Sequence, residues 1–219
     1  MRFILKTARE QEMHKASRFG FIDGILLPRT EAERTGRHYD SLVRLSLKHP
    51  FAIIGIELKE LSSQQLATEV RPFIQMDQAR ITAFLPMTLA SLQMVRNHGP
   101  SPFRFGVQHA VTLLQLLAAV RSGANVLLID ASHFHRLGMD LFGLIDGVRR
   151  CLVQEGQACE VWVDGVTTAA EANQVAARGV DALVFTWDML HECLYHPATD
   201  RALERMLTPW TRQGTTEDR

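Results

Sequence analysis

The sequence has few cysteines, no surplus of either charge and no long hydrophobic run. Its three cysteines, Cys151, Cys159 and Cys193, are an odd set without Cys-x-x-Cys spacing. This argues against a disulfide framework or a zinc ribbon and indicates a reducing compartment, so we expect a cytoplasmic protein. Lys and Arg number 24, as do Asp and Glu, so no basic stripe marks a nucleic-acid surface. No apolar run reaches the roughly 20 residues that span a bilayer, and we expect neither nucleic acid nor membrane as a partner.

Eight short apolar runs alternate with longer amphipathic stretches. The runs are Arg2–Lys6, Phe21–Leu27, Phe51–Glu57, Arg80–Leu85, Phe103–Val107, Asn125–Asp130, Glu160–Asp164 and Ala182–Thr186. They are rich in Ile, Val, Leu and Phe and too short for buried helices, which is typical of parallel strands covered on both sides. Eight strand–helix units in about 200 residues close most naturally into a (β/α)₈ TIM barrel. An open doubly wound sheet is the alternative, although no Gly-x-Gly-x-x-Gly follows the first strand.

Helix signals fall between these runs and after the last one. Thr167-Thr168-Ala169-Ala170-Glu171 has the cap and early acid of a helix start, and Gly179 fits its end. An additional C-terminal helix begins near Asp200 and carries apolar side chains at helical spacing, and Pro209 should end or kink it. These apolar side chains are Leu203, Met206, Leu207 and Trp210. We therefore expect one barrel domain over 1–212 and a polar, disordered tail over 213–219.

Charged residues stand at the ends of four otherwise apolar strands. These are Lys6, Glu57, Asp130 and Asp164. Barrel active sites lie where the strands end, and buried charges need partners, so we predict that Lys6 pairs with at least one of the acids. The four are the catalytic candidates, and an ion pair that only holds the barrel together is the alternative. Residues at or near the same strand ends are the candidates for substrate binding: Arg29, Phe84, Gln108, His109, His133, Thr186 and Trp187.

The histidines give a weaker signal. His133-x-His135 is predicted to lie in a loop after the sixth strand, close to Asp130. Such a pair can bind a metal, but in an exposed loop it is more often solvated surface. We therefore predict no metal and no cofactor.

Three segments resemble the small transaldolases and fructose-6-phosphate aldolases. The first is Arg2-Phe3-Ile4-Leu5-Lys6-Thr7-Ala8, followed by Glu12, Lys15-Ala16 and Gly20-Phe21-Ile22-Asp23-Gly24. The second, Phe84-Leu85-Pro86-Met87-Thr88, is similar to that family's Lys-Val-Pro-Val-Thr motif. The third, Tyr195-His196-Pro197-Ala198-Thr199-Asp200, resembles the start of its last helix. The resemblance covers nearly the whole chain and implies the same barrel, with a C-terminal helix that packs on a neighbouring subunit of a homo-oligomer.

The resemblance breaks down at the residues that carry out the family's chemistry. The family's aspartate at the end of the first strand aligns with Lys6, and its Schiff-base lysine on the fourth strand aligns with Phe84. Its glutamate or glutamine on the third strand is kept as Glu57. The hydroxyl residue of the family's fifth strand aligns with Gln108, and the tyrosine of its sixth strand aligns near Asp130. The basic residues with which the family binds phosphate align near His133 and Thr167. The family's segment Thr-Thr-Asn-Pro-Ser is replaced by Leu26-Leu27-Pro28-Arg29-Thr30.

Ordinary transaldolase activity is therefore not expected, and two hypotheses remain. The first is an aldolase-type or related lyase on a small carbonyl compound, with Lys6 as a relocated imine-forming lysine and Glu57, Asp130 and Asp164 as acid–base groups. In this hypothesis Phe84 lowers the pKa of Lys6 by desolvation, and unphosphorylated substrates bind better than phosphate esters. The second is a non-catalytic barrel that binds a small molecule or a protein partner.

Overall fold

Eight parallel strands form a closed barrel in which each strand pairs with its neighbours in chain order. The computed structural model describes residues 1–34, 36–59, 62–99 and 101–213, the last seven of them as backbone only. The strands are β1 (Arg2–Lys6), β2 (Gly24–Leu27), β3 (Ile53–Glu57), β4 (Ile81–Pro86), β5 (Arg104–Gln108), β6 (Val126–Asp130), β7 (Glu160–Asp164) and β8 (Ala182–Phe185). Pairing of β1 with β8 closes the ring, which confirms the predicted TIM barrel and rules out the open sheet.

Helices surround the barrel and cover the outer faces of the strands. They are α1 (Glu10–Phe19), α2 (Arg29–Arg34), α3 (Tyr39–Ser46), α4 (Ser63–Met76), α5 (Leu89–His98), α6 (Leu113–Arg121), α7 (Ala131–Leu137), α8 (Leu141–Glu155), α9 (Ala169–Ala177), α10 (Trp187–Leu194) and α11 (Pro197–Gln213). The predicted helix start holds, since the Thr168 hydroxyl accepts the backbone N–H of Glu171. Across the described ranges, none of these helices has both the length and the apolar character that a bilayer crossing requires.

Some boundaries differ from the sequence prediction. The second and third strands begin at Gly24 and Ile53, not at Phe21 and Phe51. The predicted starts were wrong because these aromatic rings serve other contacts: Phe21 stacks on Phe19, and Phe51 is buried without belonging to a strand. His133 and His135 lie on α7 and not in a loop, because Asp130 caps a helix that starts directly after β6.

The barrel interior is filled by the alternate residues of each strand that point inward. Phe84 and Trp162 are its largest side chains, both fully buried, with ring centroids 5.5 Å apart. Gly106 faces Phe84 from β5, and a methyl group there would overlap the ring. Gly55 faces it from β3, where an added Cβ would lie 3.0 Å from Phe84 Cε2 and 2.7 Å from Leu26 Cδ1. The two glycines thus leave the volume that the Phe84 ring occupies.

An ionic cluster closes the end of the barrel where the strands begin. Glu160 accepts hydrogen bonds from Arg2 at 2.7 Å and from the Trp162 indole at 2.9 Å, and it pairs with Arg104 at 2.7 Å. These contacts tie β1, β5 and β7 together from the inside. Charges at this end of a barrel contribute to stability and not to catalysis.

The C-terminal helix α11 runs from Pro197 to Gln213. The expectation was that Pro209 ends or kinks this helix; the helix continues past Pro209, so the expected end there is wrong. Leu203 and Met206 are exposed, so the described part of this apolar face is not buried on the chain's own barrel. Residues 214–219, most of the tail predicted to be disordered, lie outside the described residues.

Substitution of Gly106 tests the packing of Phe84. We expect Gly106→Ala to lower the free energy of unfolding by about 1 to 3 kcal/mol, because the methyl group overpacks the interior. Adding Phe84→Leu should recover part of this loss. The matched control is Gly147→Ala in α8, where a Cβ meets only Leu113 at 3.7 Å; it should stabilise the protein by about 1 kcal/mol. Urea unfolding measures both, and equal effects of the two glycine substitutions would contradict the packing.

Candidate active site

Four charged residues gather at the barrel mouth, the end where the strands finish. They are the last residues of β1, β3, β6 and β7, and we call them the mouth cluster: Lys6, Glu57, Asp130 and Asp164. The Lys6 ammonium forms an ion pair and hydrogen bond with Asp164 Oδ2. The Asp164 side chain is 7% exposed and that of Lys6 is 29% exposed. The predicted pairing of Lys6 is therefore confirmed, with a carboxylate that is almost fully enclosed.

Local structure fixes the orientation of Asp164. Its second oxygen, Oδ1, accepts the backbone N–H of Gly165 at 2.7 Å. Gly165 adopts φ 73°, in the left-handed region that suits glycine. Both carboxylate oxygens of Asp164 thus have partners, as a buried charge requires.

The electrostatic balance keeps Lys6 protonated. Burial lowers the pKa of Lys6, but the charge of Asp164 and its hydrogen bond raise it, and the charges of Glu57 and Asp130 add to that rise. The net effect is a pKa above the ordinary lysine value of 10.5. Desolvation lowers this pKa as expected, but the carboxylates from three strands outweigh it, so the net shift is upward and not the depression that an imine-forming amine needs.

Glu57 experiences the opposite shift. Burial raises the pKa of Glu57, and the charges of Asp164 and Asp130 raise it further, while the Arg29 N–H and the charge of Lys6 act against the rise. Its Oε2 accepts the Arg29 backbone N–H at 2.9 Å. A carboxyl group with a raised pKa takes up and releases protons closer to neutral pH, which suits general acid–base chemistry.

Asp130 is held by the helix that it caps. Its Oδ1 accepts the backbone N–H of Ser132 at 3.0 Å and the Ser132 hydroxyl at 2.6 Å. Gly165 packs against the same oxygen so closely that any Cβ there would overlap it. This leaves Oδ2 facing His133, whose Nε2 lies 3.9 Å away.

Two histidines flank the cluster beside Asp130. His109 follows β5 and has φ 65°, uncommon for a residue other than glycine. Its ring centroid lies 5.6 Å from that of His133. Burial and the charge of His133 lower the pKa of His109, against the effect of Asp130. Gln108, also predicted for the site, is buried at the end of β5. The structure brings together three side chains that could bind a metal ion: His109, Asp130 and His133. The sequence predicted no metal and did not indicate this grouping.

Four predicted substrate-binding residues lie beneath this cluster or use their side chains in contacts outside it. Phe84 is fully buried and forms the floor of the mouth without an exposed atom. The Arg29 guanidinium pairs with Glu69 at 2.6 Å, and only its backbone N–H reaches Glu57. The Thr186 hydroxyl caps α10, and the Trp187 ring stacks on Phe19 of α1. Their role in binding stays a prediction.

Two residues that hold the site were not predicted from the sequence. Ser132 anchors Asp130, and Asp-x-Ser directly after a strand is a recognisable cap signal. The Tyr39 hydroxyl donates to Leu27 O at 2.7 Å and accepts the Glu57 N–H at 2.8 Å, which links the ends of β2 and β3. No sequence pattern near Tyr39 indicates this bridge, since it joins groups 12 and 18 positions apart.

No family model matches the chain. Curated relatives described as probable transaldolases match it over nearly its full length. The protein of Streptococcus agalactiae serotype V is 23% identical and is aligned over 96% of this chain and 97% of its own. That of Kosmotoga olearia is 23% identical over 98% and 99%, and that of Geobacter metallireducens 22% over 97% and 99%. The chain is thus a distant relative of proteins with that description.

Two solved structures share the barrel. One, described as a native KDPGal structure, has a TM-score of 0.58 at 16% identity and covers 84% of this chain and 82% of its own. The other is a cube-shaped, porous protein cage designed by fusing symmetric oligomeric domains, with a TM-score of 0.60 at 14% identity over 98% and 77%. At these identities the likeness concerns the fold.

Removal of the Lys6 charge tests the importance of the ion pair. We expect Lys6→Met to lower the free energy of unfolding by about 2 to 3 kcal/mol, because it leaves the Asp164 carboxylate enclosed without its cation. Asp164→Asn added to Lys6→Met should recover most of the loss. The matched control is Lys59→Met, which removes an exposed pair with Glu33 at 3.1 Å and should cost less than about 1 kcal/mol. Urea unfolding measures the free energy of each variant. A similar loss of stability in Lys6→Met and Lys59→Met would show that the enclosed ion pair stabilises the protein no more than the exposed one.

Proposed function

We propose that the protein is an aldolase-type enzyme that acts on a small carbonyl compound at the barrel mouth, with Lys6 as the amine that forms an imine. The observation that carries this proposal is a lysine held among three carboxylates from three strands at the end of the barrel where enzymes of this fold react. The distant relatives described as probable transaldolases support the reaction class.

Imine formation begins with a proton transfer inside the ion pair. In the free protein Lys6 is an ammonium, which is not nucleophilic. A bound substrate expels water from the mouth, and a drier site makes the neutral pair of amine and carboxylic acid more competitive with the ion pair. Asp164 then holds one proton, and the neutral Lys6 nitrogen attacks the carbonyl carbon. The carbonyl oxygen receives one proton from that nitrogen and one from Asp164, and it leaves as water. The products are a protonated imine and one water molecule.

Carbon–carbon cleavage then needs a base near the imine. Glu57 takes the proton of the substrate's β-hydroxyl group, and the bond between the α and β carbons breaks. Its electron pair moves towards the imine nitrogen, giving an enamine on Lys6 and a free aldehyde. Glu57 returns the proton to the enamine carbon, and water hydrolyses the imine. The carboxylate of Asp130 stabilises the positive charge of the protonated imine before and after the neutral enamine stage.

A second candidate is a barrel that binds a ligand without a reaction. The observation that favours it is the packing beneath the mouth. Phe84, which by the family resemblance replaces the imine lysine, is locked between Gly55 and Gly106, and Lys6 is protonated in the free protein. In this case the mouth cluster is an ion-pair network that binds a polar small molecule.

Two further properties belong to the proposal. We place the protein in the cytoplasm, supported by three cysteines that are free thiols. We also propose a homo-oligomer assembled through α11, supported by the exposed Leu203 and Met206 on that helix. The preference for unphosphorylated substrates remains part of the proposal, supported by the absence of an arginine or lysine at positions 133 and 167.

Borohydride trapping tests the imine directly. The wild type, incubated with a panel of small aldehydes and hydroxyketones and reduced with sodium cyanoborohydride, should gain the mass of one reduced adduct, mapped by peptide analysis to Lys6. Lys6→Arg keeps the positive charge, cannot form the adduct and serves as the matched control. An adduct confined to Lys6 supports the enzyme. No adduct, or equal labelling of Lys15, Lys48 and Lys59, would refute the imine and leave the binding barrel.

A further inference from the structure

We propose that His109, Asp130 and His133 form a binding site for one divalent transition-metal cation of the zinc and cobalt class. The site lies at the barrel mouth, on the side of the mouth cluster formed by β5, β6 and α7. It shares Asp130 with the imine chemistry proposed above, but it does not depend on that chemistry, because its test uses variants of His109, His133 and His135 and a metal-binding readout.

The ligand atoms are close enough to share one ion. One atom from each of the three residues lies within 4.8 Å of the others. His133 Nε2 and Asp130 Oδ2 are 3.9 Å apart. Ligands about 2.1 Å from a tetrahedral zinc ion lie roughly 3.4 Å from one another, so small rotations of the imidazole rings complete the geometry.

Two features of the chain prepare these groups for a ligand. The first is the division of roles in Asp130: Ser132 occupies Oδ1 with two hydrogen bonds, which orients the carboxylate and leaves Oδ2 towards His133. Hydrogen-bonded second partners of this kind position metal-binding carboxylates in proteins.

The second feature is the backbone at His109. Its φ of 65° is a conformation that glycine adopts at no steric cost. The chain nevertheless places an imidazole there, and this conformation directs the ring to His133 and the Asp130 side. Strained residues of this kind cluster at ligand sites, where the surrounding structure holds them in place.

The charges around the site favour a cation. The mouth cluster has three carboxylates and one ammonium, so negative groups outnumber positive ones. The Lys6 ammonium is directed to Asp164, on the neighbouring strand to Asp130. The Asp130 carboxylate is therefore the group on this side of the mouth that a divalent ion can pair with.

The donor types select the class of metal. Two imidazole nitrogens and one carboxylate oxygen suit zinc, cobalt and related transition ions, whereas magnesium and calcium prefer oxygen ligands alone. Three protein ligands also leave a coordination position for water or for an oxygen of a small molecule.

The sequence motif His133-x-His135 is not the site. Residues two apart on a helix point about 200° apart, and His135 Nε2 forms its hydrogen bond with Glu171 of α9. His135→Ala is thus a matched control: it removes a histidine from the same helix and leaves the proposed ligands intact.

Metal titration of the full chain tests the site. Zinc chloride, followed by isothermal titration calorimetry, should bind the wild type with one strong site per chain. We expect His109→Ala and His133→Ala each to weaken zinc binding by at least about 100-fold, because each removes a metal ligand. Loss of a residue that only hydrogen-bonds to a ligand already weakens metal binding by about 10 to 100-fold. His135→Ala should stay within about 3-fold of the wild type. Cobalt chloride should give visible d–d absorption that both ligand variants lose.

Thermal unfolding separates loss of a ligand from loss of the fold. His109→Gly should be at least as stable as the wild type in chelator, because glycine relieves the backbone strain, and should still fail to bind zinc. The proposal is overturned if the wild type has no stoichiometric site, if His135→Ala weakens binding as much as His133→Ala does, or if the folded ligand variants bind normally. None of these outcomes affects the borohydride experiment, since the imine requires no cation.

Discussion

The ion pair between Lys6 and Asp164 is the interaction on which the barrel mouth depends. It places an ammonium group beside an enclosed carboxylate on β7, and the carboxylates of Glu57 and Asp130 surround the same charge from β3 and β6. Removing water from so many charges is costly unless they compensate one another. The arrangement is therefore sensitive to every member. The carboxylates raise the pKa of Lys6 against its burial, whereas burial and the charges of Asp164 and Asp130 raise the pKa of Glu57 against the effect of Lys6.

Packing below the mouth explains why the charges lie where they do. The Phe84 ring fills the centre of the barrel between Gly55 and Gly106 and rests against Trp162. This layer is apolar and fully buried, so the charged side chains lie beyond it, at the ends of the strands. Ionic groups lie at both ends of the barrel. Glu160 pairs with Arg2 and Arg104 at the end where the strands begin, and the partly exposed mouth cluster lies at the end where they finish.

The sequence was sufficient for the barrel and for the members of the mouth cluster, because strand alternation and strand ends are local patterns. It could not supply the sign of the Lys6 pKa shift, which depends on distances between residues up to 158 positions apart. The same holds for His109 and His133, which belong to different strand–helix units and meet only when the barrel closes. Arg29 shows the opposite failure: its position at a strand end was correct, but its guanidinium turns to Glu69 on α4.

The most direct measurement is the titration of Lys6 itself. The chain has only four lysines, Lys6, Lys15, Lys48 and Lys59, so ¹³Cε-lysine labelling gives few NMR signals to assign, with Lys6→Arg identifying the one of interest. A raised folded-state pKa means that the pair stabilises the protein fully below the unfolded value of 10.5 and that this stability is lost as the pH rises through the folded value. We predict that Lys6 titrates above 10.5 and that Asp164→Asn lowers its pKa. A Lys6 pKa below 10.5 in the free wild type, or one that Asp164→Asn leaves unchanged, would contradict the charge balance at the mouth.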